Sequence, residues 1–481
     1  MSKESGGGVV KNFIWRLMER LGAQGISFIV SILLARLLEP EVYGTIALVM
    51  VFTTVLQVFV DSGLGNALIQ KKGADDTDFS SVFYFNAALG LALYLLMFLA
   101  APFIAAFYQT PELTGIVRVL SLTVIISSVK NVQQAYVAKN MLFKRFFWST
   151  LGGTVVSAVV GVWMAYNGYG VWALVALNLT NLFIDTAVLW VTVKWRPRLL
   201  FSWQRLKGLL SFGWKLLAGR LVETIYSELH SLIIGKKYTQ SDLAHYNRGR
   251  QYPNILVTNI DYSITSVLFP VMASAQDDRE KCRAIVRRAI TANIYLIAPL
   301  MMGLAVCAEP IVRLMLTDKW LPCIPYLRVF CFIMTFLTFN TANMNTYRSL
   351  GRSDIYLKVE MIRKAVGLAI LFASMWFGVI WIAYGEIAVT LISMAVTAAP
   401  NKKLVGYGFW DQLRDVWKSL VLTVVMGACV YLLGFMPMGD GLTLLVQVCA
   451  GAAVYILGSR LLKLEIFQYF TGKLFSRFKK A

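Results

Sequence analysis

Histidine is nearly missing from this chain: among 481 residues there are two, His230 and His245. Cysteine is scarce as well. The six, Cys282, Cys307, Cys323, Cys331, Cys429 and Cys449, form no CxxC pair, and most sit in apolar runs. Two isolated histidines and no paired cysteines argue against a zinc site, so no metal and no cofactor is expected. The cysteines read as core residues. Charge is also thin, at 15% against 58% hydrophobic residues with mean hydropathy +0.63, where a soluble domain is about a quarter charged. That balance excludes an ordinary soluble protein. No GxxxxGK[ST] phosphate loop occurs, and no extramembrane stretch is long enough to fold alone, which excludes ATP as a direct driver. No cleavable signal is expected: Met1 to Gly8 is short, polar and glycine-rich, and the first apolar segment is expected to be an uncleaved signal-anchor.

What the chain has is apolar runs of bilayer length, about 20 residues each. They fall near 14–36, 44–68, 82–106, 114–137, 147–166, 170–193, 210–235, 252–273, 288–312, 324–346, 357–377, 379–398, 416–436 and 441–461. The expected fold is an all-α polytopic membrane protein of about 14 spans. The eighth is the most polar, through Asn254, Asn259, Asp261, Ser263 and Thr265.

Basic residues outnumber acidic ones, 46 to 26, for a formal charge of +20. In a soluble protein this excess would point to nucleic acid. Here the tendency of lysine and arginine to stay in cytoplasmic loops accounts for it, and no nucleic-acid partner is expected. With the N-terminus inside, the inner loops collect Lys71–Lys72, Lys139/Lys144/Arg145, Arg279 through Arg288, and Lys402/Lys403. The outer loops YQTPEL, YNGYG, WFGV and MPMGDG carry no basic residue. The exceptions are Arg36, Lys236–Lys237 with Arg248 and Arg250, and Lys319. The alternation places both termini in the cytoplasm.

The expected organisation is a cytoplasmic N-terminus (1–12), an N-lobe of six spans (13–193), a cytoplasmic amphipathic linker (194–209) and a C-lobe of six spans (210–398). A second cytoplasmic linker (399–415), two further spans (416–461) and a basic cytoplasmic tail (462–481) complete it.

An internal repeat supports the two lobes. Phe13-x-Trp15-Arg16-Leu17 and Arg20-Leu21 open the first span; Phe212-x-Trp214-Lys215-Leu216 and Arg220-Leu221 open the seventh, at an offset of 199 to 200. LLARLLEPEVYG is echoed by IIGKKYTQSDLAHY, and the Asp61–Leu68 stretch by Asp261–Leu268 at an offset of 200. Six spans is an even number, so both copies enter the membrane from the same side, as in parallel-repeat transporters.

Charges inside spans cost several kcal/mol, with figures from ~3 to above ~10, unless they face protein or water. Arg16 and Arg20, four apart on one helix face, either snorkel at the interface or line a polar cavity. Their repeat partners Lys215 and Arg220 raise the second possibility. Glu223 and His230 fall with Ser227 near one face of span seven. A carboxylate there either pairs with Arg220 or carries a coupling ion, H⁺ or Na⁺. Asp61 and Asp261 are either helix–helix hydrogen-bonding groups or part of the same ion path. Asp185, Asn178 and Asn181 add polarity to span six, and Asn340, Asn343 and Asn345 to span ten.

The motifs LLARLLEPEVYG, DSGLGNALIQKK and SITSVLFPVM resemble the polysaccharide-transporter branch of the multidrug/oligosaccharidyl-lipid/polysaccharide (MOP) exporter superfamily, in particular its Wzx-type lipopolysaccharide and colanic-acid exporters. The resemblance covers essentially the whole chain. It implies a V-shaped bundle of two six-helix lobes with two extra C-terminal helices. It also implies flipping of undecaprenyl-pyrophosphate-linked oligosaccharide across the bacterial inner membrane, by a transporter and not an enzyme. The expected partners are that lipid-linked oligosaccharide, membrane lipids, and the polymerase and glycosyltransferases of the same pathway. Arg16, Arg20, Lys215 and Arg220 would then hold the pyrophosphate, since guanidinium groups bind phosphate oxygens in pairs. A cation/drug antiporter of the superfamily is the alternative, and a membrane glycan polymerase or glycosyltransferase a more distant one.

Overall fold

A computed structural model describes residues 6–61, 63–436 and 439–469. Among these the chain is α-helical without β-strands. It forms two compact units, 1–244 and 245–481.

The first unit contains α1 (Gly6–Leu37), α2 (Pro40–Asp61), α3 (Leu64–Gln70), α4 (Asp76–Tyr108), α5 (Leu113–Leu120), α6 (Leu122–Lys139), α7 (Phe143–Tyr166), α8 (Val171–Thr192) and α9 (Trp203–Lys237). The next helix, α10 (Gln240–Ala273), begins here and continues into the second unit. That unit goes on with α11 (Arg279–Val306), α12 (Ala308–Leu316), a 3₁₀ turn (Asp318–Cys323), α13 (Ile324–Thr335), α14 (Leu337–Ser349), α15 (Ser353–Ser374), α16 (Val379–Leu404), α17 (Phe409–Leu433) and α18 (Asp440–Leu461).

Every expected span falls on helix. Among the described residues, eleven segments are long and apolar enough to cross a membrane. The three expected spans outside that group are those on α1, α9 and α15. On α1 the apolar stretch among the described residues is Gly22–Leu37. Along α9, Lys215, Arg220, Glu223, Glu228 and His230 interrupt the apolar run. On α15, Glu360 sits between Arg363 at 3.0 Å and Lys364 at 3.6 Å, so that helix answers part of its own charge.

The ninth expected span divides at Cys307 into α11 and α12, and two others break at matching places. The fourth divides at Ser121 into α5 and α6, and the tenth at Phe336 into α13 and α14. Each is the fourth helix of its proposed repeat, so the interruption itself recurs. The second span bends at Gly63, whose φ of +68° is open to glycine at little cost.

The seventh expected span, assigned by sequence to the second lobe, lies in the first unit, where α9 packs on α2, α3 and α4. Contact around it is close. A Cβ on Gly44 of α2 would come within 1.8 Å of the Gln240 carbonyl oxygen, and Thr45 Oγ1 hydrogen-bonds the Gln240 side chain at 2.7 Å.

The expected amphipathic linker at 194–209 also takes another form. Residues 193–202 are irregular, and the helix starting at Trp203 continues unbroken into α9. Pro197 disfavours a helical residue before it, and the segment is tied down at the start of α4. The Arg198 and Ser202 amides donate to the Ser80 and Ser81 hydroxyls at 3.0 and 2.9 Å. Trp195 Nε1 donates to Asp76 at 3.1 Å, and its ring stacks on Tyr136. Arg205 reaches both oxygens of Asp75 at 2.7 and 2.6 Å.

Two exceptions to the basic-inside pattern have local explanations. Arg248 is buried, stacks over Trp320 at 4.7 Å and donates to Gln251 at 2.9 Å. Lys236 caps the Phe107 carbonyl and lies over that ring at 4.1 Å. Both cations are held by aromatic faces and polar oxygens.

Asp75 caps α4 in a reciprocal box with Asp78, and the Arg205 hydrogen bond holds its carboxyl below the ordinary carboxylate range. Asp75→Ala is therefore expected to lower stability by about 1 kcal/mol. A depressed folded-state pKa stabilises above the unfolded value near ~4 and stops doing so as pH falls through the lowered one. The wild-type-minus-variant difference in thermal unfolding in detergent should stay constant from pH ~8 to ~5 and shrink below ~4.

Candidate functional site

The first unit contains a polar cleft of about 280 Å³ in a region of membrane-length helices. Six helical stretches meet at it. Glu19 comes from α1, Asp61 from the end of α2, Asn66 from α3, Asn131 and Gln134 from α6, and Thr150 from α7. Arg220 comes from α9, and Ala135, Ala138 and Phe146 give the cleft an apolar side. Asp61 ends α2 because Gly63 turns the chain, which places its carboxylate where α6 passes. Asn131 Nδ2 donates to Asp61 Oδ1 at 2.8 Å, and Arg220 Nη1 stands 3.9 Å from Asp61 Oδ2. Thr150 Oγ1 donates to Glu19 Oε1 at 3.3 Å.

The structure treats the eight sequence-derived candidates unevenly. Asp61 and Arg220 are brought together. The side chains of Arg16 and Arg20 lie outside the described residues. Lys215 and Glu223 are exposed on α9, and His230 is buried on the same helix. The recorded ion pair of Arg220 is with Asp61, not with Glu223. In the second unit Asp261 accepts a hydrogen bond from Thr341 Oγ1 at 2.7 Å. Asp61 bonds α2 to α6, and Asp261 bonds α10 to α14: each carboxylate ties the second helix of its repeat to the broken fourth. This geometric match was not readable from spacing.

Sequence reasoning passed over Lys130. It lies in α6 beside Asn131, and its Nζ is 2.5 Å from Asp185 Oδ2 on α8. Both side chains are largely buried, at 13% and 9% exposure, which marks a charge pair held inside the unit. A lysine in the interior of a span was the available signal. Asn340 and Asn343 of span ten sit in a buried network. Asn343 and Gln412 exchange reciprocal hydrogen bonds at 3.0 and 2.8 Å, Asn401 donates to Asn343 at 2.6 Å, and Thr397 donates to Asn340 at 3.0 Å. They bind α14 to α16 and α17.

The second unit has a pocket of about 440 Å³ near the starts of α11 and α17. Its arginines face an equal number of acids there, and Arg287 already spans Asp415 at 2.9 Å and Glu465 at 3.3 Å.

With this geometry described, comparison with known proteins decides the family. The profile of the polysaccharide biosynthesis protein family matches residues 33–325. The chain belongs to that family. Members of similar sequence include the succinoglycan biosynthesis transport protein ExoT of Rhizobium meliloti, 24% identical over 87% of this chain and 86% of that one. The lipopolysaccharide biosynthesis protein WzxC of Escherichia coli is 22% identical over 89% and 87%. The teichuronic acid biosynthesis protein TuaB of Bacillus subtilis is 22% identical over 84% and 85%. Among solved structures, the lipid II flippase MurJ superposes with TM-score 0.76 at 15% identity, over 94% of this chain and 98% of that one. A multidrug resistance MATE family transporter of the MOP superfamily superposes with TM-score 0.61 at 17% identity, over 79% and 94%. This family member is thus a multi-pass membrane protein with the fold of the MOP transporters.

The Lys130–Asp185 pair gives a test of the packing. Removing one partner strands a buried charge at a cost of about 3–5 kcal/mol, whereas replacing both with apolar residues is often neutral. Lys130→Leu alone should abolish monodisperse elution in detergent. Lys130→Leu with Asp185→Leu should restore most of it.

Proposed function

We propose that the protein is a bacterial inner-membrane flippase. It moves undecaprenyl-pyrophosphate-linked oligosaccharide units from the cytoplasmic to the periplasmic leaflet for exopolysaccharide or lipopolysaccharide synthesis, by alternating access. The observation that carries this reading is the polar cleft among membrane-length helices, in a chain of the polysaccharide biosynthesis family. Sugars lose several kcal/mol of hydrogen bonding on entering hydrocarbon unless new partners replace water. A hydrated, hydrogen-bonding cleft supplies them, while the lipid tail stays in the bilayer.

The pyrophosphate needs cations. Lys215 and Arg220 on α9, with Arg16 and Arg20, are the proposed set engaging the phosphates. Both termini are placed in the cytoplasm by the basic-residue pattern, and the polymerase and glycosyltransferases of the pathway are the proposed partners. An inside-negative potential favours outward movement of an anion by about 2.3 kcal/mol per charge per 100 mV, which supplies direction without ATP. Counter-transport of H⁺ or Na⁺ through Glu223, His230, Asp61 or Asp261 is a further proposed source.

Removing the protein from its host should make an inner-leaflet lipid-linked glycan accumulate, detectable by mass spectrometry of extracted lipids. Arg220→Gln at normal expression should cut flipping at least ten-fold. Glu223→Gln should remove any pH dependence of flipping. No accumulation on deletion would overturn the flippase assignment.

A further inference from the structure

The pocket of the second unit lies where three membrane-length helices end together. Its wall is made by the first turns of α11, by Asp415 near the start of α17 and by the Glu465–Tyr469 stretch that follows α18. Three arginines line it, and they are not equivalent. Arg287 is committed: Nε meets Asp415 Oδ2 at 2.9 Å and Nη2 meets Glu465 Oε2 at 3.3 Å. The recorded partners of Arg283 and Arg288 are rings, Tyr407 at 6.0 Å and Tyr469 at 4.8 Å from the guanidinium carbon. Both side chains are exposed, and neither guanidinium has an ion pair or hydrogen bond with another described residue. A guanidinium carries five N–H donors, and a ring against its face leaves the donors in its plane open. Two such groups in one pocket fit the oxygens of a phosphate.

Glu280, in the first turn of α11, is the lining acid without an ion pair among the described residues. A carboxylate only accepts hydrogen bonds, so it suits a hydroxyl donor beside the phosphate. The charges of the lining balance, but those of the turns that carry it do not. Residues 277–291, 409–419 and 460–469 add six more basic residues and three more acidic ones. The surrounding field draws an anion.

The setting decides which anion. Along α17, exposed Trp410 and Trp417 flank Asp415 in sequence, and Val421, Val424 and Val425 are exposed beyond them. Exposed tryptophans followed by exposed valines mark the passage from headgroup level into hydrocarbon. On α18, Ile456, Leu457 and Leu461 are exposed shortly before the chain reaches the pocket. A soluble phosphate ester gains nothing from these surfaces, whereas the acyl chains of a phospholipid lie along them.

We propose that this pocket binds the headgroup of an anionic phospholipid of the phosphatidylglycerol type, with its phosphodiester on Arg283 and Arg288 and a glycerol hydroxyl on Glu280. The basic-residue pattern assigns this end of the helices to the cytoplasmic leaflet. The site does not depend on what the protein transports, and its occupant ties the chain after α18 to α11 and α17.

The test uses the purified, delipidated full-length chain in detergent and native mass spectrometry. The probes are dioleoyl phosphatidylglycerol, dioleoyl phosphatidylethanolamine and inorganic phosphate. Wild-type protein is expected to bind its first phosphatidylglycerol at least five-fold tighter than phosphatidylethanolamine. Arg283→Gln and Arg288→Gln should each weaken phosphatidylglycerol binding three-fold or more, and the double variant should erase the preference. Arg414→Gln with Lys418→Gln removes the same charge from α17 outside the lining and should change binding less than two-fold. Monodisperse elution checks the fold, and the single variants carry the test if the double one misfolds. Equal binding of the two lipids by the wild type, full phosphatidylglycerol binding in the Arg283 and Arg288 variants, or an equal loss in the Arg414 and Lys418 variant overturns the site. Displacement of the lipid by inorganic phosphate marks a site for the free anion and overturns it too.

Discussion

A charge inside a bilayer must be answered by the protein, and much of this structure follows from that constraint. Water is absent from the hydrocarbon, so backbone groups close on themselves as helices, and ionised side chains pair or line a wet cleft. Lys130 meets Asp185 across α6 and α8. Asp61 takes Asn131 and faces Arg220. Glu360 stands between Arg363 and Lys364 on one helix. The first is a buried lock, the second belongs to an open cleft, and the third is a local pair on an otherwise apolar surface.

The cleft depends on that sorting. Lys130 beside the cleft holds Asp185, while Arg220 in its lining faces Asp61. A carrier for lipid-linked glycans handles a ligand of three chemistries: an apolar tail, an anionic link and neutral sugars. No single environment suits all three.

The repeat is written more deeply in the structure than in the letters. Sequence identity between the halves is confined to short stretches around Trp15 and Trp214, and around Asp61 and Asp261. Yet both fourth spans break, at Ser121 and Phe336, and both aspartates bond to the helix after the break. Asn131 and Thr341 do the same job with different functional groups, which is why alignment by residue type passed over them.

Hydropathy and charge alternation determined most of the architecture from sequence alone. Helices, their approximate ends and the duplicated order follow from apolar length and loop charge, both local properties. Membership of the polysaccharide biosynthesis family was legible in motifs such as LLARLLEPEVYG. The partners of individual side chains were not legible, because they depend on which helices touch. Only tertiary packing placed α9 with α2, α3 and α4, paired Arg220 with Asp61 instead of Glu223, and withdrew Asn343 into a buried network with Asn401 and Gln412. Only packing put Asp185 against Lys130, through a helix contact that spacing along the chain does not encode.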